Sequence, residues 1–317
     1  MTIAYLVLCH VDPEHIKRLT DKITKGTKDV AFVHVDRKCD IKPFQRILKN
    51  NSQVKLIKER VAVHWGGYSS IEATINLFRV AIFSAYEGKP FDRFVILQGL
   101  EYPIKTNQEI HDFFERNMKK EFILAQNISI SHNPKDIHKY SLYWHLDSTN
   151  WMSKKLFNKL NTLLFLKTGI IPSFKQNYVG SNSGIKMQIY QGCAQFGVTR
   201  QLAEYILKFH DENSNFNKYF QTVYAPDESY FHTIVYNSPF VKYTTKGKAI
   251  SSPKLTDFEN LTYFEYPDIV TLFTQKSEWP KLRDSGFLFF RKASSKSKEL
   301  LDYIDEQHAQ SNFPLDK

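Results

Sequence analysis

The chain has 317 residues, of which 42% are hydrophobic and 24% charged, and this composition is typical of a globular protein with a sizeable core. A formal net charge of +10 favours anionic ligands, but the lysines and arginines are spread along the chain, which argues against a nucleic-acid-binding tail. The three cysteines lie far apart without a metal-binding spacing, so neither a disulfide framework nor a zinc site is expected.

The first 125 residues alternate predicted strands with predicted helices. The predicted strands are Ile3–Cys9, Val30–Val35, 54–57, Arg93–Leu97 and 121–125. The predicted helices begin at Asp12-Pro13, Pro43, Ser69 and Thr106, and the pairs Ser69 with Glu72 and Thr106 with Glu109 have the spacing of capping boxes. This alternation predicts an α/β fold in which a mostly parallel, Rossmann-like sheet is flanked by helices and binds ligands beyond its carboxyl edge.

Residues 126–190 interrupt the alternation and are predicted to form an inserted acceptor or lid region. Within it, Leu156, Leu160, Leu163 and Leu164 share one helical face. Packing of this face in the core is the favoured interpretation, and contact with an anionic membrane surface is the alternative. Further helices are predicted from Thr199, Asp227, Ser277 and Ser295, and a strand over 287–290. No apolar stretch is long enough to cross a bilayer.

Polar clusters follow the predicted strands at the edge of the sheet where ligands bind. In HVDRK, residues 34–38, the carboxylate of Asp36 suits a ribose hydroxyl. In HWGGY, residues 64–68, two glycines before a helix would let backbone N–H groups approach an anion. In LQGLEYPIKTN, residues 97–107, Glu101 is a candidate acceptor for a sugar hydroxyl. Each segment also has a purely structural interpretation, as a loop start, a tight turn or a helix cap.

Two clusters in the second half carry the chemical groups that a transfer reaction needs. In APDE, residues 225–228, Asp227 is the predicted N-cap of a helix. Glu228 then falls in the first turn, where the helix dipole favours an ionised carboxylate that can deprotonate a hydroxyl. Arg291 and Lys292 follow an aromatic strand. These two cations either end a solvated strand or neutralise a departing diphosphate.

Taken in order, six segments resemble the core-2/I-branching β-1,6-N-acetylglucosaminyltransferase family, which also contains the peptide O-xylosyltransferases. They are HVDRK, HWGGY, LQGLEYPIKTN, QGCAQFGVTR, APDE and LFFRK, and the similarity covers residues 1–125 and 190–300. The resemblance implies a GT-A fold and an inverting, metal-independent transfer from a UDP-sugar, with N-acetylglucosamine as the first candidate sugar. The absence of an Asp-x-Asp motif in the middle of the chain agrees with a metal-free mechanism.

The resemblance also assigns roles to individual residues. Glu228 matches the catalytic base and Lys292 a diphosphate-binding lysine. A second cation is expected from Arg291, Lys254 or Lys248, because the family's arginine would fall near Ile269. The nucleoside is expected near His10, Asp36, Trp65 and Gly66, and the donor and acceptor sugars near Glu101, Gly192, Cys193 and Asp227. No metal ligand and no bound cofactor are expected.

We interpret residues 1–317 as a single GT-A catalytic domain. Residues 1–125 form the half that binds the nucleotide sugar, residues 126–190 the insertion, and residues 191–317 the half for catalysis and diphosphate binding. The expected partners are a UDP-sugar and a glycan or lipid-linked oligosaccharide, and no nucleic acid. A bacterial cytoplasmic enzyme of surface polysaccharide synthesis, with a peripheral membrane contact, is the expected setting. The alternatives are a non-catalytic sugar- or nucleotide-binding module, a metal-dependent transferase and a xylose-transferring enzyme.

Overall fold

A computed structural model describes residues 1–86, 88–131, 139–140, 142–147, 156, 159–160, 163, 178–251, 261–266 and 270–311. Its centre is a five-stranded sheet in the order β10-β4-β1-β2-β3. The strands are β1 (Ile3–Cys9), β2 (Val30–Val35), β3 (Val54–Leu56), β4 (Arg93–Leu97) and β10 (Gly197–Thr199). The first four are parallel, and β10 is antiparallel to β4. The predicted mainly parallel sheet is therefore confirmed.

Smaller sheets lie beside the central one. A three-stranded sheet has the order β11-β12-β5 and is formed by β5 (Glu101–Pro103), β11 (Thr262–Phe264) and β12 (Phe289–Arg291). Two antiparallel pairs join β6 (Ala125–Asn127) to β9 (Tyr190–Gly192) and β7 (Tyr178–Gly180) to β8 (Lys186–Gln188). The strand predicted over 121–125 is wrong in its bounds, because Glu121 and Phe122 form only isolated bridges and β6 begins at Ala125.

Helices cover both faces of the central sheet, as the alternation of strands and helices predicts. Ala4 and Leu6 of β1 face one core, to which α3, α5 and α7 contribute, and Tyr5 and Val7 face the other. The helices are α1 (Pro13–Thr24), α2 (Lys42–Leu48), α3 (Ser69–Ile82), α4 (Asn107–Arg116), α5 (Arg200–Glu212), α6 (Ser214–Phe220), α7 (Tyr230–Tyr236), α8 (Trp279–Asp284) and α9 (Lys298–Ser311). This fold is the α/β arrangement that the sequence predicts, a mainly parallel sheet flanked by helices.

Helix starts agree with the predictions in some places and not in others. Asp12 caps α1, and the capping box of Thr106 with Glu109 begins α4. The capping box predicted for Ser69 and Glu72 is wrong, because Tyr68 is the N-cap and Ser69 is already helical. Asp227 is not an N-cap, because it lies inside a 3-10 turn, Pro226–Glu228, and α7 begins only after Ser229.

The predicted insertion is described only in part. Trp144 is buried, but the described leucines Leu156, Leu160 and Leu163 are 61%, 50% and 39% exposed. Core packing of this apolar face is therefore wrong for these three side chains, and Leu164 and Trp151 lie outside the described residues. In the part of the chain that the structure describes, no helix has the length and apolar character needed to cross a membrane.

A buried pair between α4 and the start of β2 makes stability depend on pH. His111 Nε2 lies 2.7 Å from Asp29 Oδ2, and Asp29 Oδ1 accepts the Ile3 N–H at 2.8 Å. The bond to Asp29 raises the pKa of His111 above its ordinary value of 6.5, so the folded state holds this proton more tightly than the unfolded state. The resulting stabilisation is complete below about pH 6.5 and is lost as the pH rises through the raised pKa.

We therefore expect the free energy of unfolding to fall as the pH rises from about 6 to above the raised pKa of His111. His111→Gln keeps a neutral donor towards Asp29 and should remove this part of the pH dependence. Urea unfolding of both proteins across this range measures the difference. An identical slope in the variant would show that another group is responsible.

Candidate active site

Glu228 lies in a short turn that is held against the HWGGY segment. The turn Pro226–Glu228 follows Ala225, whose φ of 49° is left-handed. The Ala225 N–H donates to the carbonyl of Gly66 at 2.9 Å, and the Glu228 N–H donates to the carbonyl of Ala225 at 3.2 Å. Because left-handed backbone is costly for alanine, the bond to Gly66 is needed to hold the turn in this direction. Two predicted segments are thus brought together.

The carboxylate of Glu228 has two polar partners and remains accessible. Its Oε2 accepts from Gln191 Nε2 at 2.9 Å and lies 3.3 Å from Lys139 Nζ. The Glu228 side chain is 30% exposed, which leaves part of it free for a substrate. Both partners are hydrogen-bond donors on one oxygen, and the exposed part of the carboxylate is placed where a general base could meet a hydroxyl. Sequence reasoning missed Gln191 and Lys139. They lie 37 and 89 positions before Glu228, and no local pattern links residues so far apart.

The neighbouring carboxyl of Asp227 behaves differently. Burial, followed by the charge of Glu228, raises the pKa of Asp227 from 3.8 to about 7. Two adjacent carboxyls resist being ionised together, so a proton is retained most readily on Asp227. The predicted contact of Asp227 with a sugar stays a prediction.

Of the two predicted cations, Arg291 is the last residue of the strand that pairs with Glu101, and Lys292 directly follows it. Strands β12 and β5 are antiparallel, and Arg291 lies opposite Glu101 in their register. Arg291 Nη1 donates to Glu101 Oε1 at 2.8 Å, while Glu101 Oε2 accepts the N–H groups of Gln98 and Leu100 at 2.9 and 3.1 Å. Glu101 is completely buried. Its predicted contact with a sugar hydroxyl stays a prediction, which this burial does not favour.

Lys292 is held through its backbone. Its N–H donates to the carbonyl of Thr271, and its carbonyl accepts the Phe273 N–H, both at 3.0 Å. Among the described residues it forms no ion pair. Two cations thus lie side by side: Arg291 is paired with Glu101, and Lys292 has no acidic partner in the part of the chain that the structure describes. Of the predicted substitutes for the second cation, Lys248 is exposed and Lys254 lies outside the described residues.

The segment over residues 191–195, which begins in β9, contacts Glu228 at one end and Glu101 at the other. Gln191 bonds to Glu228 as described, and two residues later the Cys193 thiol donates to Gln195 Oε1 at 2.8 Å. Gln195 Nε2 then donates to Gln98 Oε1 at 3.0 Å and to Glu101 Oε1 at 3.4 Å. The segment QGCAQFGVTR thus bonds to APDE through Gln191 and, through Gln195 and Glu101, is connected to Arg291 of LFFRK. Gln195 was not predicted.

Gly192, between these two contacts, has no room for a side chain. A Cβ there would lie 1.9 Å from the carbonyl oxygen of Leu124 and 2.6 Å from the imidazole of His232. His232 is fully buried, and burial lowers its pKa to about 3, so it is neutral. The glycine is required for close packing, and its predicted contact with a sugar stays a prediction.

The HVDRK segment forms a tightly bonded turn. Asp36 Oδ1 accepts the Lys38 N–H at 2.8 Å, and Asp36 is 5% exposed. The guanidinium of Arg60 donates to the carbonyls of Val35, Asp36 and Cys39 at 2.8, 2.8 and 2.6 Å. His10 is exposed beside this turn, and its carbonyl accepts the Cys39 thiol at 3.0 Å. Contacts of His10 and Asp36 with a nucleoside stay predictions.

The structure corrects the prediction that the backbone N–H groups of HWGGY, at the start of α3, are available to bind an anionic ligand. The carboxylate of Asp147, from the insertion, accepts the N–H groups of Tyr68 and Ser69 at 2.7 and 3.2 Å and the Ser69 hydroxyl at 2.5 Å. A Cβ at Gly67 would lie 2.2 Å from the same carboxylate. The protein itself thus supplies the anion that the N-terminus of α3 attracts. No sequence signal links Asp147 to this turn.

Trp65 lies at the surface beside the turn of Glu228. It is 78% exposed, not buried, and its ring meets Tyr224 edge to face at 5.7 Å. Tyr224 in turn meets the buried Trp144 at 5.2 Å. An exposed indole fixed beside a carboxylate is a suitable surface for a sugar ring. The predicted nucleoside contacts of Trp65 and Gly66 stay predictions.

In the described residues, no three His, Cys, Asp or Glu side chains are grouped closely enough to hold a metal ion.

The sequence model of the family described as "Core-2/I-Branching enzyme" matches residues 3–249, which is most of the chain. The chain belongs to this family. The Core-2/I-Branching enzyme domain thus includes β1 to β10 and Glu228, while Arg291 and Lys292 follow the matched region.

Similar curated proteins are xylosyltransferases. Xylosyltransferase 2 of Rattus norvegicus is 23% identical over 241 residues, which are 75% of this chain and 25% of that protein. Xylosyltransferase 1 of Homo sapiens is 24% identical over 214 residues, 66% of this chain and 19% of that protein. The chain thus spans about a quarter of the length of these relatives. A solved structure, apo mouse xyloside xylosyltransferase 1, matches at 15% identity and a TM-score of 0.29, covering 74% of this chain and 81% of that one.

Proposed function

We propose that this Core-2/I-Branching enzyme is a glycosyltransferase that moves a sugar from a UDP-sugar to a hydroxyl of a glycan acceptor, with inversion and without a metal ion. One observation carries the proposal. The segment that contains Gln191 and Gln195 bonds to an accessible carboxylate, Glu228, at one end and to Glu101 at the other, and Glu101 in turn holds Arg291, the neighbour of Lys292. A base for the acceptor and counter-charge for the leaving group are the two elements that this reaction needs.

In the proposed mechanism Glu228 takes the proton of the acceptor hydroxyl. The oxygen attacks the anomeric carbon from the face opposite UDP, and the bond from this carbon to the diphosphate oxygen breaks. Inversion follows from this single displacement, and the transition state has oxocarbenium character, as in glycoside hydrolysis. Lys292 supplies net positive charge for the leaving diphosphate and Arg291 supplies directed N–H donors. Glu228 is left protonated.

The donor sugar has two candidates. The family resemblance in the sequence favours N-acetylglucosamine, whereas the names of the similar curated proteins favour xylose. Their sequence identities of 23% and 24% support the family and leave the sugar to experiment. Surface polysaccharide synthesis, a lipid-linked acceptor, a cytoplasmic location and a peripheral membrane contact stay predictions from the sequence.

An assay of UDP release tests the proposal directly. We expect turnover with one of UDP-N-acetylglucosamine and UDP-xylose in the presence of a hydroxyl-bearing glycan acceptor, and we expect it to persist in EDTA. UDP binding without release from any donor would instead indicate a non-catalytic binding module. Activity that EDTA abolishes and a divalent cation restores would contradict the metal-free mechanism.

Lys292→Ala should lower kcat by about 10²-fold, because the uncompensated ammonium acts most strongly on the charge that develops on the leaving diphosphate. Steady-state kinetics with saturating acceptor measure the change. Lys296→Ala, an exposed lysine four residues later, is the matched control and should leave kcat unchanged. Equal activities of the two variants would remove Lys292 from the mechanism.

A further inference from the structure

The ion pair of Glu101 and Arg291 is built so that one partner is buried and the other reaches the surface. The Glu101 side chain is 0% exposed and that of Arg291 is 16% exposed. Burying a carboxylate is costly unless every lone pair finds a donor. Here Oε2 receives two backbone N–H groups, and Oε1 receives Arg291 and, more distantly, Gln195. The loop over residues 98–101 is thus folded around this carboxylate.

This arrangement constrains the guanidinium of Arg291. A guanidinium has five N–H donors, and the contact with Glu101 takes one of them. The backbone around the pair is also fixed, because Ala293 N–H donates to the carbonyl of Leu100 at 2.7 Å and β12 pairs with β5. When one N–H group of a guanidinium is already bonded, its remaining donors point in a fixed direction. Less side-chain conformational entropy is then lost when a ligand binds.

The same pairing changes what Arg291 contributes to the site. Glu101 cancels its charge, so the net positive charge comes from Lys292, which has no acidic partner among the described residues. A diphosphate has several acceptor oxygens and gains from both a free charge and oriented donors. Such a division of roles explains why a carboxylate is placed beside a cation that is expected to bind an anion.

We propose that Glu101 is a positioning residue that orients the guanidinium of Arg291 for the diphosphate of the donor, and this rests on the transferase function proposed above. Glu101 acts through Arg291 and does not touch the sugar. Gln195 extends the same network to Cys193, so the loop that joins the base to the cations is aligned with Arg291.

A double-mutant cycle distinguishes positioning from simple support of the fold. Glu101→Gln keeps the shape but places an amide where four donors converge. UDP affinity is measured by calorimetry for the wild type, Glu101→Gln, Arg291→Gln and the double variant. We expect Glu101→Gln to raise the Kd for UDP by about fivefold to tenfold, and the double variant to match Arg291→Gln within about twofold. Independent, multiplying losses would overturn the proposal, as would unchanged UDP affinity in Glu101→Gln.

Glu121→Gln is the matched control. Glu121 is another buried carboxylate, 1% exposed, and accepts the Thr199 N–H at 2.8 Å away from the cations. The Glu121→Gln substitution should lower Tm without changing the Kd for UDP. If Glu101→Gln does not fold, Glu101→Asp replaces it in the cycle. The shorter carboxylate retains its charge but misplaces Arg291, so UDP should bind with intermediate affinity, and wild-type affinity in this variant would overturn the proposal.

The outcomes also separate this proposal from the proposed function. A wild-type protein that binds no UDP would overturn both. A wild-type protein that binds UDP and transfers sugar, with Glu101→Gln equal to it in KM for the donor, would overturn only the positioning role. Loss of UDP affinity in Glu121→Gln as large as that in Glu101→Gln would show a general effect of weakened folding, and would also overturn it.

Discussion

Glu228→Gln should lower kcat by about 10²- to 10⁴-fold while the Kd for UDP changes by less than about twofold. The amide cannot take the proton of the acceptor hydroxyl, so the nucleophile is not activated. Its oxygen can still accept from Gln191 and Lys139, and the fold and the network around the turn should therefore survive. The cations proposed to bind the diphosphate should be unaffected, since Arg291 ends β12 and Lys292 directly follows it, and neither lies on this turn.

Single-turnover kinetics and UDP calorimetry measure the two quantities separately. Glu212→Gln is the control, because Glu212 also pairs with a lysine, Lys208 at 3.8 Å, but lies on the exposed end of α5. The Glu212→Gln variant should retain wild-type turnover. If Glu228→Gln keeps turnover within tenfold of the wild type, Glu228 is not the base, and Asp227 beside it becomes the next candidate.

Gly192→Ala should destabilise the protein by about 3 kcal/mol and remove most of the activity. The added Cβ would lie 1.9 Å from the Leu124 carbonyl oxygen and 2.6 Å from the His232 ring, and both belong to the packed interior. A backbone oxygen cannot move aside as the end of a flexible side chain does. The β6–β9 pair must separate, and with it Gln191 moves away from Glu228.

Urea unfolding and turnover are the measurements for this variant. Gly180→Ala is the matched control, because a Cβ at Gly180 in β7 meets nothing within 4 Å. We expect its unfolding free energy to stay within about 0.5 kcal/mol of the wild type. A Gly192→Ala protein as stable and active as the control would show that the loop has room that the structure does not indicate.

Local patterns predicted the elements whose signals are local. The apolar runs of β1, β2 and β4 match the observed strands, and the Thr106 capping box is formed because both of its bonds join residues three apart. The Ser69 capping box failed despite the same spacing. Asp147 occupies the N–H groups of that helix start, and the Ser69 hydroxyl bonds to this carboxylate instead of capping the helix.

The candidate site was predictable in its principal residues and not in their partners. Glu228, Arg291 and Lys292 stand in segments that resemble the family. Lys139 lies outside these segments, and no local pattern marks Gln191 and Gln195 within QGCAQFGVTR as partners of Glu228 and Glu101, because each partner lies far along the chain. The burial of Glu101 is likewise invisible in a loop sequence of mixed polarity.

By itself, the sequence determined the alternation of strands and helices, the family to which the chain belongs, and the positions of a carboxylate and two cations near strand ends. These follow from periodicity and from short motifs, which are properties of neighbouring residues. Only the tertiary structure decided that Glu101 faces Arg291, 190 positions away, and that Asp147 fills the helix start. Such contacts depend on how β5, β12 and the insertion pack together, and the free energy of that packing is shared by the whole core.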